Sequence, residues 1–118
     1  MAANQGNDLT LEQLDHAAYI LRVLAHPQRL MICQILLKRR ASVGDLAEAI
    51  GLRHNVVSQH LSNMRAHGLV EPERDGRAVY YRVVHPAPGW LLDCIRRNRT
   101  HDASAALRLA ADRGHTTD

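Results

Sequence analysis

The sequence predicts a mainly α-helical fold with one small β-hairpin, in the order α-α-α-α-β-β-α. Apolar residues recur at helical spacing in two short segments between positions 42 and 66, and they alternate as in a strand pair between positions 70 and 83. A chain of 118 residues suits one domain with a modest core. We place this domain at residues 10–99, after a flexible leader at 1–9 and before a frayed helix or disordered tail at 100–118.

Two helices are expected at the start of the domain. Thr10 followed by Gln13 is a capping box, which predicts that the first helix begins here. Its apolar stripe consists of Leu11, Leu14, Ala18, Leu21 and Ala25. The second helix begins at Pro27, a favoured first-turn residue, and runs through the segment LMICQILLKRR. Because this segment is apolar nearly all round, the second helix is expected at the centre of the domain.

The third helix and the turn after it have clear end signals. Ser42 and Asp45 are suited to cap the beginning of this helix, and its inner face holds Val43, Leu46 and Ile50. Gly51 stands where a left-handed residue would end it. Residues 51–55 are therefore expected to form the turn of a helix-turn-helix.

The fourth helix separates apolar from polar residues. Its apolar stripe is Val57, Leu61 and Met64, so the opposite face must carry Asn55, Gln59 and Ser62. Amide and hydroxyl side chains of this size can donate to and accept from purine edges in a major groove, where a helix fits. Asn55 could instead cap the helix, because asparagine is among the best N-cap residues.

The hairpin carries a basic residue on each side of its turn. Asp75-Gly76 supplies a tight turn flanked by Arg74 and Arg77, and alternating apolar residues follow it. Pro72 lacks a backbone N–H, so the first strand is expected at a sheet edge or to begin near Glu73. Alone, this hairpin could be an ordinary surface ribbon with solvated arginines. Beside the polar helix face, it predicts a wing that holds a DNA backbone.

The charge distribution independently favours a polyanionic partner. From Arg22 to Arg99 there are 13 Arg and Lys against 6 Asp and Glu, although the whole chain has a net charge of only +3. Basic side chains bind phosphates and release counterions. The chain has no Phe, one Trp and three Tyr, too few aromatic rings for a platform that stacks single-stranded bases. Duplex DNA is therefore expected, and RNA is not.

Nothing in the sequence predicts export or membrane insertion. The apolar runs are far shorter than the ~20 residues that span a bilayer, and residues 1–10 lack the basic-then-apolar pattern of a signal peptide. A cytoplasmic location is therefore expected, with no membrane partner. The two cysteines, Cys33 and Cys94, form no disulfide framework, and reduced thiols are expected in that compartment.

Several segments resemble the ArsR/SmtB family of winged-helix transcriptional repressors. The matching segments are AHPQRL from Ala25, SVGDLA from Ser42, VSQHL from Val57, HGLV from His67, and RDGR from Arg74 with the Tyr80-Tyr81 pair. No single segment is diagnostic, but their order and spacing from Leu14 to Ile95 make the resemblance specific.

The resemblance implies a winged helix-turn-helix homodimer that binds an inverted-repeat operator and represses a nearby operon until an effector releases it. It places base contacts in the first two turns of the fourth helix, at His54, Asn55, Ser58 and Gln59. Ser62 and Arg65 extend this set, and Arg74 and Arg77 would hold the backbone. The first and last helices would form the dimer interface through Leu14, Leu21, Leu91 and Ile95.

The sequence does not identify an effector. Residues 41–44, which match the position of a thiol metal site in many relatives, contain no cysteine. A second metal pattern in the last helix corresponds to His85, Ala87, Asn98 and His101, and so lacks two of its four ligands. No cofactor is therefore predicted with certainty, although a metal ion or metalloid effector stays open.

The cysteines leave a further sensing hypothesis open. Some relatives sense persulfides or oxidants through one cysteine in the second helix and one in the last, and Cys33 and Cys94 lie in those helices but out of register by about one and six residues. Cys33 could equally be a core residue, and Cys94 could pack, face its symmetry mate or ligate a metal or arsenical.

Two other functional classes compete with a DNA-binding repressor. An enzyme is disfavoured because Ser58 and the two cysteines are not accompanied by a phosphate loop, nucleophile elbow or paired ligand motif. An effectorless module that uses the winged fold to bind DNA or protein stays open, and weak, salt-insensitive DNA binding would favour its protein-binding form.

Overall fold

The computed structural model describes residues 6–99, and the elements in this range follow the predicted order. They are α1 (Leu11–Leu24), α2 (Pro27–Leu36), α3 (Val43–Ile50), α4 (His54–Ala66), β1 (Val70–Asp75), β2 (Ala78–Val83) and α5 (Pro86–Asn98). None of the helices in this range is long and apolar enough to cross a membrane. The predicted tail at 100–118 and the first five residues of the leader lie outside the described residues.

The predicted capping box of α1 is present, and the residues predicted to cap α3 form a second capping box. The Gln13 N–H donates to Thr10 Oγ1 at 3.1 Å, and the Thr10 N–H donates to Gln13 Oε1 at 2.9 Å. Ser42 and Asp45 exchange the same pair of bonds at 3.0 and 3.1 Å, which holds the pKa of the Asp45 carboxyl below its usual value. Gly51 ends α3 in the left-handed region with φ 82°, as predicted, but the turn spans only residues 51–53 and not 51–55, because α4 begins at His54.

The core contains buried apolar side chains from every helix and from the start of the hairpin. Ile32, Leu46 and Leu61 are buried at its centre. The apolar stripe predicted for α1 does not join it: Leu11, Leu14 and Leu21 are 75, 48 and 52% exposed, and α1 enters the core instead through Ile20, Val23 and Leu24. Helix α1 has two apolar faces, and periodicity alone could not decide which one the domain covers.

Helix α2 is shorter and less buried than predicted. It ends at Leu36 rather than at Arg40. Met31 on its surface is 45% exposed, and Leu37, which directly follows the helix, is 43% exposed. The chain must leave the helix there, because Ala41 extends to form a bridge with Tyr81 of β2. The Tyr81 N–H donates to the Ala41 carbonyl at 2.8 Å, and the Ala41 N–H returns a bond at 3.3 Å.

The same bridge explains how β1 accommodates Pro72. Strand β1 begins at Val70, not near Glu73 as one reading of the sequence predicted, and Pro72 stands opposite Tyr81 in the antiparallel register. Since the backbone groups of Tyr81 point towards Ala41, this pair needs no N–H from Pro72. Asp75 pairs with Ala78, so the turn is Gly76-Arg77, with Gly76 at φ 64°, one residue later than predicted.

Helix α5 begins close to the end of the hairpin. Strand β2 ends at Val83, and the helix starts at Pro86. His85 caps it, because the His85 Nδ1 accepts the Ala87 N–H at 2.9 Å. Prolines are tolerated in the first turn, where an N–H has no partner within the helix. Pro86 and Pro88, which follow the hairpin, therefore belong to the first turn of α5.

Candidate nucleic-acid interface

Helix α4 presents a continuous polar surface to solvent. Val57, Leu61 and Met64 are buried on one side, at 0, 1 and 0% exposure. The residues predicted to read or support DNA are all exposed: His54, Asn55, Ser58, Gln59, Ser62 and Arg65. Asn55 is not the N-cap, because α4 begins at His54 and Arg53 occupies the cap position without a side-chain bond. The Asn55 amide is thus not used to cap the helix.

The beginning of α4 lies close to α3. A Cβ placed on Gly44 would lie 3.6 Å from the His54 ring, and a shallow concavity of about 490 Å³ opens beside these two residues. Asp45 and Glu48 also line this concavity. Their carboxylates disfavour a phosphate here, so phosphate contacts are better supplied by basic residues elsewhere.

The wing provides such basic residues at its tip. Arg74 and Arg77 lie on either side of Gly76, and both are exposed. Within residues 6–99 neither of them forms an ion pair, whereas Arg82 lies 3.6 Å from Glu71 and 3.5 Å from Glu73. The two tip guanidinium groups are therefore available to an external anion.

A polar cluster at the back of α4, involving Gln28, Arg29 and His60, was largely missed by sequence reasoning. His60 is 9% exposed, a buried polar residue on the inner side of α4. The Arg29 Nε–H donates to His60 Nδ1 at 3.0 Å, so the ring proton belongs on Nε2, which donates to Gln28 Oε1 at 2.8 Å. Burial, reinforced by the charge of Arg29 and by His26, lowers the pKa of His60 and keeps the ring neutral at pH 7.

Arg29 also connects this cluster to α1. Its Nη1–H donates to the Val23 carbonyl at 2.8 Å, where the last turn of α1 leaves carbonyls without helical partners. One guanidinium therefore bonds to α1 and α4 from its own position on α2. The signal in the sequence was only the segment AHPQRL, which contains both Gln28 and Arg29.

A second polar contact joins α1 to the end of α4. The Tyr19 hydroxyl lies 2.8 Å from His67 Nε2, and the two rings meet edge to face with centroids 4.7 Å apart. His67 Nδ1 lies 2.7 Å from the Asn63 carbonyl. Helix α4 is thus connected to α1 at two places: near the middle of α4, through Arg29, and at the C-terminal end of α4, through His67.

The outer surface of α1 and α5 is apolar. Leu14 and Leu21 from α1 are about half exposed, as is Ile95 from α5, and Leu91 is partly buried. Sequence reasoning missed Trp90, the most exposed of the large apolar residues of α5 at 71%. Between the helices lies a groove of about 420 Å³ whose lining includes Ile20, Leu21, Trp90 and Leu91. A single copy of the domain leaves this face uncovered.

The domain is similar in sequence to known helix-turn-helix proteins. A model for a helix-turn-helix domain matches residues 24–73. The nodulation protein NolR of Rhizobium meliloti is 43% identical over 70 residues, which cover 59% of this chain and 57% of NolR. The biofilm growth-associated repressor of Xylella fastidiosa is 31% identical over 84 residues, covering 71% of this chain and 74% of that protein.

A solved structure agrees with these sequence matches. The homodimeric winged helix-turn-helix DNA-binding domain of Mb0332 from Mycobacterium bovis, a possible ArsR-family regulator, superposes with a TM-score of 0.68 at 27% identity. The superposed region covers 82% of this chain and 90% of the Mb0332 domain. The chain belongs to the ArsR/SmtB family. Its predicted winged helix-turn-helix fold and its function as a DNA-binding transcription regulator are thereby confirmed.

The sensing sites common in ArsR/SmtB proteins find little support in the described residues. Within 6–99, no three His, Cys, Asp or Glu side chains are grouped to hold a metal ion, and His101 lies outside this range. Cys33 is fully buried with its Sγ 3.8 Å from Met64 Sδ, and burial raises the pKa of its thiol to about 11. This placement agrees with a core role for Cys33.

Cys94 has a different environment. It is exposed on α5, with its carbonyl accepting a bond from the Asn98 amide at 2.7 Å. Neither cysteine forms a disulfide in the described structure. The dithiol hypothesis would require Cys33 to leave the core as a thiolate, which its raised pKa opposes.

Proposed function

We propose that this ArsR/SmtB protein is a homodimeric repressor that recognises an inverted-repeat operator in cytoplasmic duplex DNA. The observation that carries the proposal is the polar outer face of α4, whose six candidate DNA contacts are all exposed while three apolar residues anchor the helix from behind. A helix of this kind fits the major groove. Repression, rather than activation, is proposed because the similar Xylella protein is named a repressor.

Base recognition is assigned to the first two turns of α4. Gln59 is the principal candidate, because an amide can make two bonds to an adenine edge. His54, Asn55 and Ser58 complete the set, and Ser62 and Arg65 follow farther along the helix. Arg74 and Arg77 contact phosphates, since their guanidinium groups carry no intramolecular ion pair within residues 6–99.

Dimerisation is assigned to the apolar face of α1 and α5. A second copy would cover Leu14 and Leu21 of one helix and Leu91 and Ile95 of the other, together with the exposed Trp90. The homodimeric state of the similar Mb0332 domain supports this assignment. A two-fold dimer places its two α4 helices in half-sites about 10–10.5 base pairs apart, or a multiple of this distance.

Release by an effector is the least specified part of the proposal. Of the two thiols, only Cys94 is exposed, so it is the better candidate for a soft metal, a metalloid or a reactive sulfur or oxidant species. Enzymatic activity and RNA binding form no part of the proposed function. The effectorless alternative predicts DNA binding that none of these species alters.

The proposal is tested by comparing two variants on two DNAs. An operator is first selected from a pool of random duplexes with the wild-type protein. Gln59→Ala should lose about 1–3 kcal/mol on this operator and little on unrelated DNA, because it removes a base contact. Arg77→Ala should weaken both and lower the salt slope by about one unit per half-site, because it removes a phosphate contact.

Fluorescence anisotropy at several salt concentrations measures both effects, with Gln34→Ala on α2 as a control for loss of an amide elsewhere. Equal losses on both DNAs for Gln59→Ala would remove it from the reading set. Absence of salt-dependent binding to any duplex would refute the proposed function.

A further inference from the structure

The wing is attached to the rest of the domain by the backbone bridge between Ala41 and Tyr81 and, nearer its tip, by one arginine from outside the hairpin. Arg40 lies between α2 and α3, and its guanidinium reaches two carboxylates of β1. Nη1 lies 2.7 Å from Glu73 Oε1, and Nη2 lies 2.7 Å from Asp75 Oδ2. The same guanidinium lies over the Tyr80 ring, 4.3 Å from its centroid. Arg40 thus contacts both strands of the hairpin.

The strand register explains why these partners lie together. Glu73 and Asp75 are two residues apart and therefore share one face of β1. Tyr80 is the cross-strand partner of Glu73, so its ring stands on the same face. The planar guanidinium can bond to two carboxylates and stack on a ring at once, which a lysine ammonium cannot do. Backbone bonds between Ala41 and Tyr81 continue the attachment one residue later.

The hairpin has few other connections near its tip. Residues 74–77 are exposed, and Arg40 is the only side chain outside the hairpin that forms an ion pair with it in residues 6–99. Arg82 pairs with Glu71 and Glu73, but it belongs to the hairpin and cannot fix its position on the domain. The orientation of the tip therefore depends strongly on Arg40.

We propose that Arg40 is a positioning residue of the DNA interface, which clamps the wing to the connection between α2 and α3 and so holds Arg74 and Arg77 where they meet phosphates. The inference rests on the proposed function, since it assigns a role within the same interface. Two of its five N–H donors are bonded to carboxylates whose negative charges offset its own, so in this proposal Arg40 acts through Arg74 and Arg77 and not by contacting DNA itself.

The first experiment examines the clamp without DNA. Hydrogen–deuterium exchange of the free protein should show faster exchange of the hairpin amides, including that of Tyr81, in Arg40→Ala. Arg39→Ala is the matched control, because it removes the same charge from the adjacent exposed position and breaks no contact with the wing. Wild-type exchange rates in Arg40→Ala would overturn the clamp.

The second experiment measures binding to the selected operator. Arg40→Ala should weaken binding by about tenfold, while Arg39→Ala should weaken it much less. Arg40→Lys should recover only a small part of the loss, because it keeps the charge but not the fork. The salt slope of Arg40→Ala should fall, because displaced Arg74 and Arg77 lose their phosphate contacts. In a protein that already carries Arg74→Ala and Arg77→Ala, adding Arg40→Ala should not lower the slope further. A further fall of about one unit per half-site in that protein would show a direct phosphate contact by Arg40 and overturn the positioning role.

A third variant separates positioning from charge. Arg40→Ala leaves Asp75 without its ion-pair partner and Glu73 with only the more distant Arg82, and the uncompensated negative charge could repel DNA by itself. Adding Glu73→Gln and Asp75→Asn removes this repulsion, and binding should stay weaker than in the same double substitution with Arg40 intact. Full recovery to that reference would overturn the clamp. If the wild type binds no duplex, the proposed function fails, and the exchange experiment still decides whether Arg40 fixes the wing.

Discussion

Replacing Arg29 by methionine should destabilise the domain and also change how its stability depends on pH. Methionine keeps much of the aliphatic packing of the arginine stem but removes the guanidinium. Two charge-assisted hydrogen bonds are lost, one to His60 Nδ1 at 3.0 Å and one to the Val23 carbonyl at 2.8 Å. His60 Nδ1 and the Val23 carbonyl oxygen are then left without their donor.

The size of the effect follows from these two bonds. Hydrogen bonds to charged groups contribute about 1.5–3 kcal/mol each, and water can replace part of this at a site that is only partly buried. The loss in unfolding free energy at pH 7.5 should therefore be about 2–3 kcal/mol. Arg65→Met, which removes the same charge from the exposed face of α4, should cost less than about 0.5 kcal/mol.

The pH dependence has a definite sign. The folded-state pKa of His60 lies below its ordinary value of 6.5, chiefly because the ring is buried and secondly because Arg29 is positively charged. Its contribution to stability is complete above pH 6.5, and it is lost as the pH falls from there through the folded-state pKa, because the unfolded chain takes up the proton first. Arg29→Met removes the second cause but not the first. The acid-induced loss should therefore become smaller without disappearing.

Urea unfolding at pH 7.5, 6.5 and 5.5 measures both effects, at one fixed protein concentration because a dimer's stability depends on it. His60→Gln gives the reference without a titrating ring at this position. A loss below about 0.5 kcal/mol at pH 7.5 would show that water replaces the guanidinium fully. An acid-induced loss equal to that of the wild type would show that Arg29 does not influence the titration of His60.

Two further predictions concern assembly and the thiols. Ile95→Glu should give a monomer at micromolar concentration with much weaker operator binding, because a dimer would have to bury the new charge in the apolar face of α5. Arg96→Glu on the same helix should stay dimeric. Sedimentation of the wild type as a monomer would contradict this prediction. A thiol reagent at pH 8 should label Cys94 in the native protein and Cys33 only after unfolding, because burial raises the pKa of Cys33 to about 11; rapid native labelling of Cys33 would refute its core role. Cys94→Ser should still bind DNA but should no longer be released from it by a thiol-directed effector, while Cys33→Ser should mainly lose stability. If every effector that releases the wild type from DNA also releases Cys94→Ser, sensing at this thiol is excluded.

The local signals in the sequence determined most of the fold. Capping boxes at Thr10 and Ser42 fixed two helix starts, and Gly51 fixed a helix end, because these depend on bonds between residues at most four apart. The separation of Val57, Leu61 and Met64 from the polar face of α4 was equally local, since it requires only the helical period. The exposure of the candidate base readers therefore follows from the sequence alone.

Tertiary structure decided the features that local sequence patterns leave open. The sequence after Leu36 would allow α2 to continue, but Ala41 must be extended to form its bridge with Tyr81, and the helix ends before it. The same bridge allows Pro72 inside β1. The bonds from Arg29 to His60 and from Arg40 to the wing join residues more than thirty positions apart. The periodicity of the sequence cannot predict such contacts, because they depend on how the helices and the hairpin pack against one another.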